Sequence, residues 1–231
     1  MPQTWMITGA NRGIGLAIAT ELLRRGDHVI AAVRDPRAKA LVEFAARYPG
    51  QLTPLELDVT SDASVAAAKD ALAGRAIDVL LNNAGVYGPR DRQSGLDLDF
   101  DAWREVFDVN VYAPLRVAQA FLPNVEAGKG RKIATISSRM GSIGANPGNA
   151  LIYRSSKAAV NMAMVVFGNA VRGKDVAVLL FHPGWVQTDM GGGGADITPA
   201  ESAAGLIRTI DASGMAETNS FRDYKGEKIA W

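Results

Sequence analysis

Thr4-Trp5-Met6-Ile7-Thr8-Gly9-Ala10-Asn11-Arg12-Gly13-Ile14-Gly15 decides how the rest of the chain is read. The first five residues are a short apolar run, which predicts a strand. Glycines at 9, 13 and 15 follow with Gly-x3-Gly-x-Gly spacing. Leu16, Ile18, Ala19, Leu22 and Leu23 then recur with the period of a helix. A strand, a glycine turn and a helix start together make a phosphate site. The glycines let the backbone turn tightly and approach an anion, and the helix N-terminus presents unpaired N–H groups.

The same alternation continues outward. Further strands are predicted over 28–33, 52–57, 77–81, 132–137 and 176–181. Helices are predicted between them. One opens at Pro36 with Leu41, Val42, Phe44 and Ala45 on its inner face. A second is capped by Thr60 or Ser61 and runs through Leu72. A long amphipathic segment covers 100–124, and another helix runs on from Lys157 through Phe167. The last covers 199–212, behind Thr198-Pro199 with Glu201. Residues 86–99 are polar, contain Gly and Pro, and read as a loop. Strictly alternating strands and helices predict an α/β fold: one Rossmann-type doubly wound parallel sheet with helices on both faces, a single domain over 1–231.

Composition narrows the chemistry. The 231 residues are 48% hydrophobic, which suits a packed domain and excludes disorder. A formal net charge of +1 gives no electrostatic footprint for nucleic acid. No cysteine is present, so disulfides, thiolate metal sites and Cys nucleophiles are excluded. The two histidines, His28 and His182, are far apart in sequence, and no metal site is expected. The N-terminal residues carry no basic stretch and no apolar run reaches membrane-spanning length. A cytoplasmic protein without membrane partners is therefore expected.

The strand over 28–33 ends Val33-Arg34-Asp35. In dinucleotide-binding folds an acid near this point holds the ribose 2′-OH of NAD. Here Arg34, with Arg12 in the glycine turn, supplies two cations where a 2′-phosphate would sit, and guanidinium matches phosphate with its fork. That favours NADP(H) over NAD(H), while Asp35 keeps NAD(H) open. Asp58, at the end of the third strand, suits an adenine amino group or a turn equally well. Asn82-Asn83-Ala84-Gly85 pins a loop and leaves room for a flat ligand. Pro114 has no N–H to give the carbonyl of Asn110 four residues back, which implies a kink or a polar site inside that helix.

Tyr153 and Lys157 stand four residues apart, on one face of a helix one turn from each other. A phenol titrates near 10, and a neighbouring ammonium favours the phenolate. Bringing it to neutrality takes roughly 4 kcal/mol of differential interaction. Ser138, at the end of the preceding apolar segment, offers a hydroxyl to a developing oxyanion.

With these residues laid out, the chain resembles the short-chain dehydrogenase/reductase family over essentially its whole length. Gly9, Asn11, Arg12, Gly13, Ile14 and Gly15 match its cofactor loop, and Asp58 with Val59 its adenine contact. Asn83, Ala84 and Gly85 match its Asn-Asn-Ala-Gly segment. Asn110, Ser138, Tyr153 and Lys157 match its catalytic tetrad. Pro183, Gly184, Val186 and Thr188 match the segment over the nicotinamide. The segment after Ser138 and the Trp-ended tail are similar to small carbonyl-reductase-like and C-factor-like members.

The resemblance implies hydride transfer between NADP(H) and a carbonyl or alcohol, with Tyr153 as general acid/base. Lys157 would lower its pKa and hold the ribose, Ser138 would polarise the carbonyl, and the Asn110 carbonyl would hold a relay water. The alternative is a cofactor-binding regulatory or signalling protein without significant turnover. The gap from Ser138 to Tyr153 is longer than the pattern, and glycines 191–194 replace a helical lid, so a reshaped and open pocket is expected. Met140, Trp185 and Met190 are the candidate substrate contacts. The Ala-, Met- and Val-rich helix over 158–171 implies a homodimer or homotetramer.

Overall fold

The computed structural model describes residues 1–145 and 148–231. Residues 146–147 of the segment between Ser138 and Tyr153 lie outside the described residues. The chain runs β1 (Thr4–Thr8), α1 (Gly13–Arg24), β2 (His28–Val33), α2 (Lys39–Ala46), β3 (Leu52–Glu56), α3 (Asp62–Ala71) and β4 (Val79–Asn82). A short ribbon, β5 (Gln93–Ser94) with β6 (Asp97–Leu98), precedes α4 (Phe100–Phe107) and α5 (Ala113–Ala127). Then come β7 (Lys132–Ile136), α6 (Leu151–Ala170), β8 (Ala177–His182), α7 (Pro199–Ala212) and β9 (Phe221–Asp223).

Seven strands form one sheet in the order β3-β2-β1-β4-β7-β8-β9, and every adjacent pair is parallel. Alternation along β1 builds two cores. Trp5 and Ile7 pack with Ile18 and Leu22 of α1 and Leu206 and Ile210 of α7. Met6 points the other way, to a layer holding Phe121 of α5 and Val160 and Met164 of α6. Strands buried on both faces are near-continuous apolar runs, which is why the sequence betrayed them. Pro54 sits in β3, an edge strand, where its missing N–H costs no ladder bond on the open side. Strand order reverses between β1 and β4, and a crevice opens at such a point beyond the carboxyl ends of the strands.

Local caps set the helix starts. Ser61 Oγ accepts from Ser64 N–H at 3.2 Å, and Asp99 Oδ1 from Ala102 N–H at 3.0 Å. Thr198 caps α7 with Pro199 in its first turn.

Four expectations are corrected. Pro36 lies in a turn and α2 begins only at Lys39, because Asp35 holds the Arg37 N–H in a turn of its own. Val42 is exposed, one residue around the helix from the inward Leu41. The segment over 100–124 is two helices joined by a π-helical turn, Asp108–Tyr112, centred on Asn110 just before Pro114. The loop over 86–99 contains the β5–β6 ribbon, whose two-residue strands are too short to show alternation.

Candidate active site

The site is built where β1 runs into α1. Asn83 Nδ2 donates to the carbonyls of Thr8 (2.9 Å) and Gly9 (3.2 Å), and Thr8 Oγ1 accepts from the N–H groups of Asn83 and Ala84, each at 3.0 Å. The two turns leaving β1 and β4 are thereby locked together. Gly15 lies against this knot: a Cβ there would stand 2.4 Å from the Gly9 carbonyl oxygen and 2.5 Å from Asn83 Nδ2. Behind it, Arg12 stands extended at the N-cap of α1 with no side-chain cap, and no acid occupies the first turn. The leading N–H groups of α1 therefore face the crevice without a side-chain acceptor, the arrangement an anionic group fills.

The crevice is a cleft of about 1760 Å³ running from Arg34 past Gly9, Asn83 and Gly85 to Tyr153 and Lys157. At its far end Arg34 and Asp35 follow β2. Asp58 Oδ1 accepts from the Thr60 N–H (3.0 Å) and hydroxyl (2.7 Å), which hold its carboxyl below the usual range, with Arg34 and Arg116 adding to the effect. Asp58 thus closes a turn and also lines the cleft, as its two readings respectively require. Arg12 reaches Asp189 at 3.7 Å across the mouth, with both side chains largely in solvent.

Asn110, Ser138, Tyr153 and Lys157 converge at the other end. All four are buried. Ser138 lies two residues beyond β7 and caps a 3₁₀ turn, Arg139–Gly141, accepting from Met140 N–H at 3.1 Å. That turn presses on α6 at Lys157, where a Cβ on Gly141 would stand 2.7 Å from the Lys157 carbonyl carbon. The Asn110 side chain bonds the Val86 N–H and carbonyl (2.9 and 2.8 Å) and Ser156 Oγ (3.0 Å). The π-turn is thus tied both to the loop after Gly85 and to α6. Lys157 Nζ donates to the Ile136 carbonyl at 3.0 Å and stands 5.7 Å from the Tyr153 ring centre.

Burial pushes the Tyr153 phenol up to about 12; a hydrogen bond with Ser138 works against this and the Tyr87 hydroxyl with it. Burial likewise pushes Lys157 down to about 8. In the chain by itself, desolvation dominates and Tyr153 carries its proton at neutral pH.

Gly9, Asn11, Arg12, Gly13, Ile14, Arg34, Asp58, Val59, Asn83, Ala84, Gly85, Tyr153, Lys157, Pro183, Thr188 and Met190 line the cleft. Gly15, Asn110, Ser138, Gly184 and Val186 each adjoin a lining residue in the chain. Met140 and Trp185, expected at the substrate end, are not among the residues that line this cleft. Trp185 Nε1 is tied to the Gly191 carbonyl (2.9 Å), and the Met140 carbonyl faces Arg154 (3.4 Å). Sequence reasoning missed Tyr87 and Arg90. The Tyr87 ring lies 4.7 Å from that of Tyr153 at a 33° tilt, and the Arg90 guanidinium donates to the carbonyls of Asp189 (3.3 Å) and Met190 (2.9 Å). Their one signal was position, two and five residues beyond Gly85 in a stretch read only as loop. No metal-binding group of acids and histidines occurs among the described residues, and no described helix is long and apolar enough to cross a membrane.

Comparison with known proteins gives the same picture. Residues 3–196 match the family model for short chain dehydrogenase. C-signal of Myxococcus xanthus is 42% identical over 161 residues, covering 67% of this chain and 93% of that protein. The 1-hydroxy-2-glutathionyl-2-methyl-3-butene dehydrogenase of Rhodococcus sp. strain AD45 is 35% identical over 99% of both chains. The NADPH-bound carbonyl reductase from chicken fatty liver superposes with a TM-score of 0.90 at 33% identity, covering 100% of this chain and 99% of that one.

Proposed function

The chain belongs to the short-chain dehydrogenase family, and from that premise we propose that it is an NADP(H)-dependent oxidoreductase acting on a small carbonyl or alcohol. The observation that carries the proposal is the shared cleft. The uncapped start of α1 and the Tyr153–Lys157 pair line one continuous crevice at the reversal of strand order. The glycine turn and the free α1 N–H groups fit a pyrophosphate, and Arg34 suits a 2′-phosphate. When bound, the nicotinamide supplies or accepts the hydride.

The chain's own groups do the rest. Tyr153, protonated at neutral pH, gives its phenolic proton to a carbonyl oxygen during reduction. Ser138 donates to the same oxygen and stabilises its growing charge. Lys157 places a positive charge beside the phenol as the proton leaves and holds the ribose. Asn110 braces the turn whose carbonyl lost its partner at Pro114. The relative acting on a glutathionyl compound and the neighbour bound to NADPH support the oxidoreductase class and the cofactor choice.

The test is a screen of purified protein with NADPH or NADH against aldehydes, quinones, diketones and glutathione conjugates, following cofactor oxidation. Turnover with NADPH supports the reading; tight cofactor binding without turnover of any substrate sinks it. In that event the second reading stands: a cofactor-binding regulatory or signalling protein, favoured by the 42% identity to C-signal.

A further inference from the structure

We propose that Gln93 is a positioning residue for Tyr153, fastening the tyrosine's own backbone to the wall of the cleft its ring rests on. This rests on the reading of Tyr153 as the group that moves the proton. Helix α6 has no cap of its own: Ala150 occupies the N-cap at φ 62°, with no side chain to accept a hydrogen bond. The first-turn N–H groups of a helix have no partner within it. Tyr153 is the third residue of α6, and its N–H donates to Gln93 Oε1 at 2.9 Å, across 60 residues of sequence.

The other end of the same amide faces the loop. Gln93 Nε2 donates to the carbonyls of Tyr87 (2.9 Å) and Pro89 (2.6 Å). The side chain belongs to a residue only 3% exposed, and each of its two polar atoms is engaged. The amide has a definite sense: the acceptor meets an N–H and the donors meet two carbonyls, so a flipped amide would oppose like groups. Tyr87, held by this amide, lays its ring 4.7 Å from the Tyr153 ring. One buried amide thus fixes the first turn of α6 and the aromatic surface above the phenol relative to each other. The β5–β6 ribbon, too short to matter as a sheet, holds Gln93 in place to do this.

Loss of the amide lets Tyr153 shift against its surroundings, and a displacement of about 1 Å at a reacting centre costs on the order of 10²-fold. The glycine turn and Arg34 lie on other elements and keep their geometry. Gln93→Met keeps length and bulk but removes all three bonds. Its turnover with NADPH and a carbonyl substrate is expected to fall about 10- to 100-fold. Its NADPH dissociation constant should stay within about two-fold of wild type, since it touches none of the cofactor contacts, and amide exchange at Tyr153 should accelerate.

Gln93→Glu adds a readout that a merely structural role would not move. The neutral acid keeps an acceptor for the Tyr153 N–H and one O–H donor for the loop, whereas the carboxylate has no donor. Relative to wild type, its turnover should be near normal at low pH and fall as the carboxyl ionises. Wild-type turnover and wild-type exchange at Tyr153 in Gln93→Met would overturn the proposal. So would a Gln93→Glu variant that tracks wild type at every pH. Should Gln93→Met not fold, the Gln93→Glu profile decides. Failure of the underlying reading is separate: it appears as a wild-type protein that reduces no carbonyl. In that case exchange at Tyr153 alone decides whether Gln93 holds it, and unchanged protection overturns the proposal.

Discussion

Lys157 Nζ lies 5.7 Å from the centre of the Tyr153 ring, and the hydrogen bond it donates goes to the Ile136 carbonyl at 3.0 Å. The ammonium is therefore near the phenol and held by backbone, at a point where burial has pushed it down to about 8. Reduction needs a protonated Tyr153 and, on this account, a charged Lys157. Tyr153 stays protonated up to about 12, so the lysine sets the alkaline limit. The kcat/KM for carbonyl reduction is expected to be level near neutrality and to decline as pH rises through about 8. A level profile to pH 10 would remove the lysine's charge from the mechanism.

The same burial has a stability consequence. The folded pKa of Lys157, about 8, is below its ordinary 10.5, so between these values the unfolded chain binds more protons and stability rises with pH. Below about pH 8 the charged form carries its full desolvation penalty. Lys157→Met, which keeps the stem and removes the charge, is therefore expected to raise the melting temperature at pH 7 while abolishing turnover. Each kcal/mol gained is worth about 2–4 °C in a chain of this size. The gain should shrink between pH 8 and 10.5; calorimetry at pH 7 and pH 10 checks it.

Arg34 stands at the end of the cleft where the second ribose of a dinucleotide would lie. Arg34→Asp should weaken NADPH binding about 10- to 100-fold, the worth of a charge-assisted contact. NADH binding should be unchanged or tighter. Equal NADPH affinity in wild type and variant would take Arg34 out of the site.

Gly15→Ala puts a methyl group into the Gly9 carbonyl oxygen and the Asn83 amide. Overpacking of this kind costs roughly 1–3 kcal/mol. Because the displaced atoms form the phosphate turn, NADPH binding should fail as the melting temperature drops. Gly95→Ala, which meets nothing within 4 Å, is the control and should leave both unchanged.

Met162 and Val166 are exposed one turn apart on α6, and Phe100 and Tyr112 are exposed on the neighbouring segment of chain. The account expects these apolar surfaces to be covered by a second copy, giving a homodimer or homotetramer. Sedimentation should show the oligomer at micromolar concentration and Met162→Glu should shift it toward monomer. A monomeric wild type would sink the expectation.

How far the sequence could be read depended on the range over which each feature is specified. The parallel strands were legible because burial on both faces makes them continuous apolar runs, as in Trp5-Met6-Ile7. The glycine turn and the Tyr153–Lys157 pair were legible because their geometry is local to a turn or to one helical repeat. Gln93 and Tyr87 were not, since their partners come from 60 and 66 residues away and nothing in a polar loop marks which side chain turns inward. The upward shift of Tyr153 in the chain by itself was not legible, for a related reason. Spacing gives the neighbouring charge, but desolvation depends on the whole packed surround. Met140 and Trp185 were chosen from position in the chain, and the Trp185 indole is held by a neighbour, the Gly191 carbonyl, that spacing alone does not single out.

The central claim is that Tyr153 moves the proton in the cleft that also holds the cofactor. Tyr153→Phe removes the hydroxyl and keeps the ring packed 4.7 Å from Tyr87. The direct measurement is single-turnover carbonyl reduction by this variant, paired with its NADPH dissociation constant. The account predicts a rate about 10²- to 10⁴-fold below wild type with cofactor affinity essentially unchanged. A variant that reduces its substrate at the wild-type rate would contradict it.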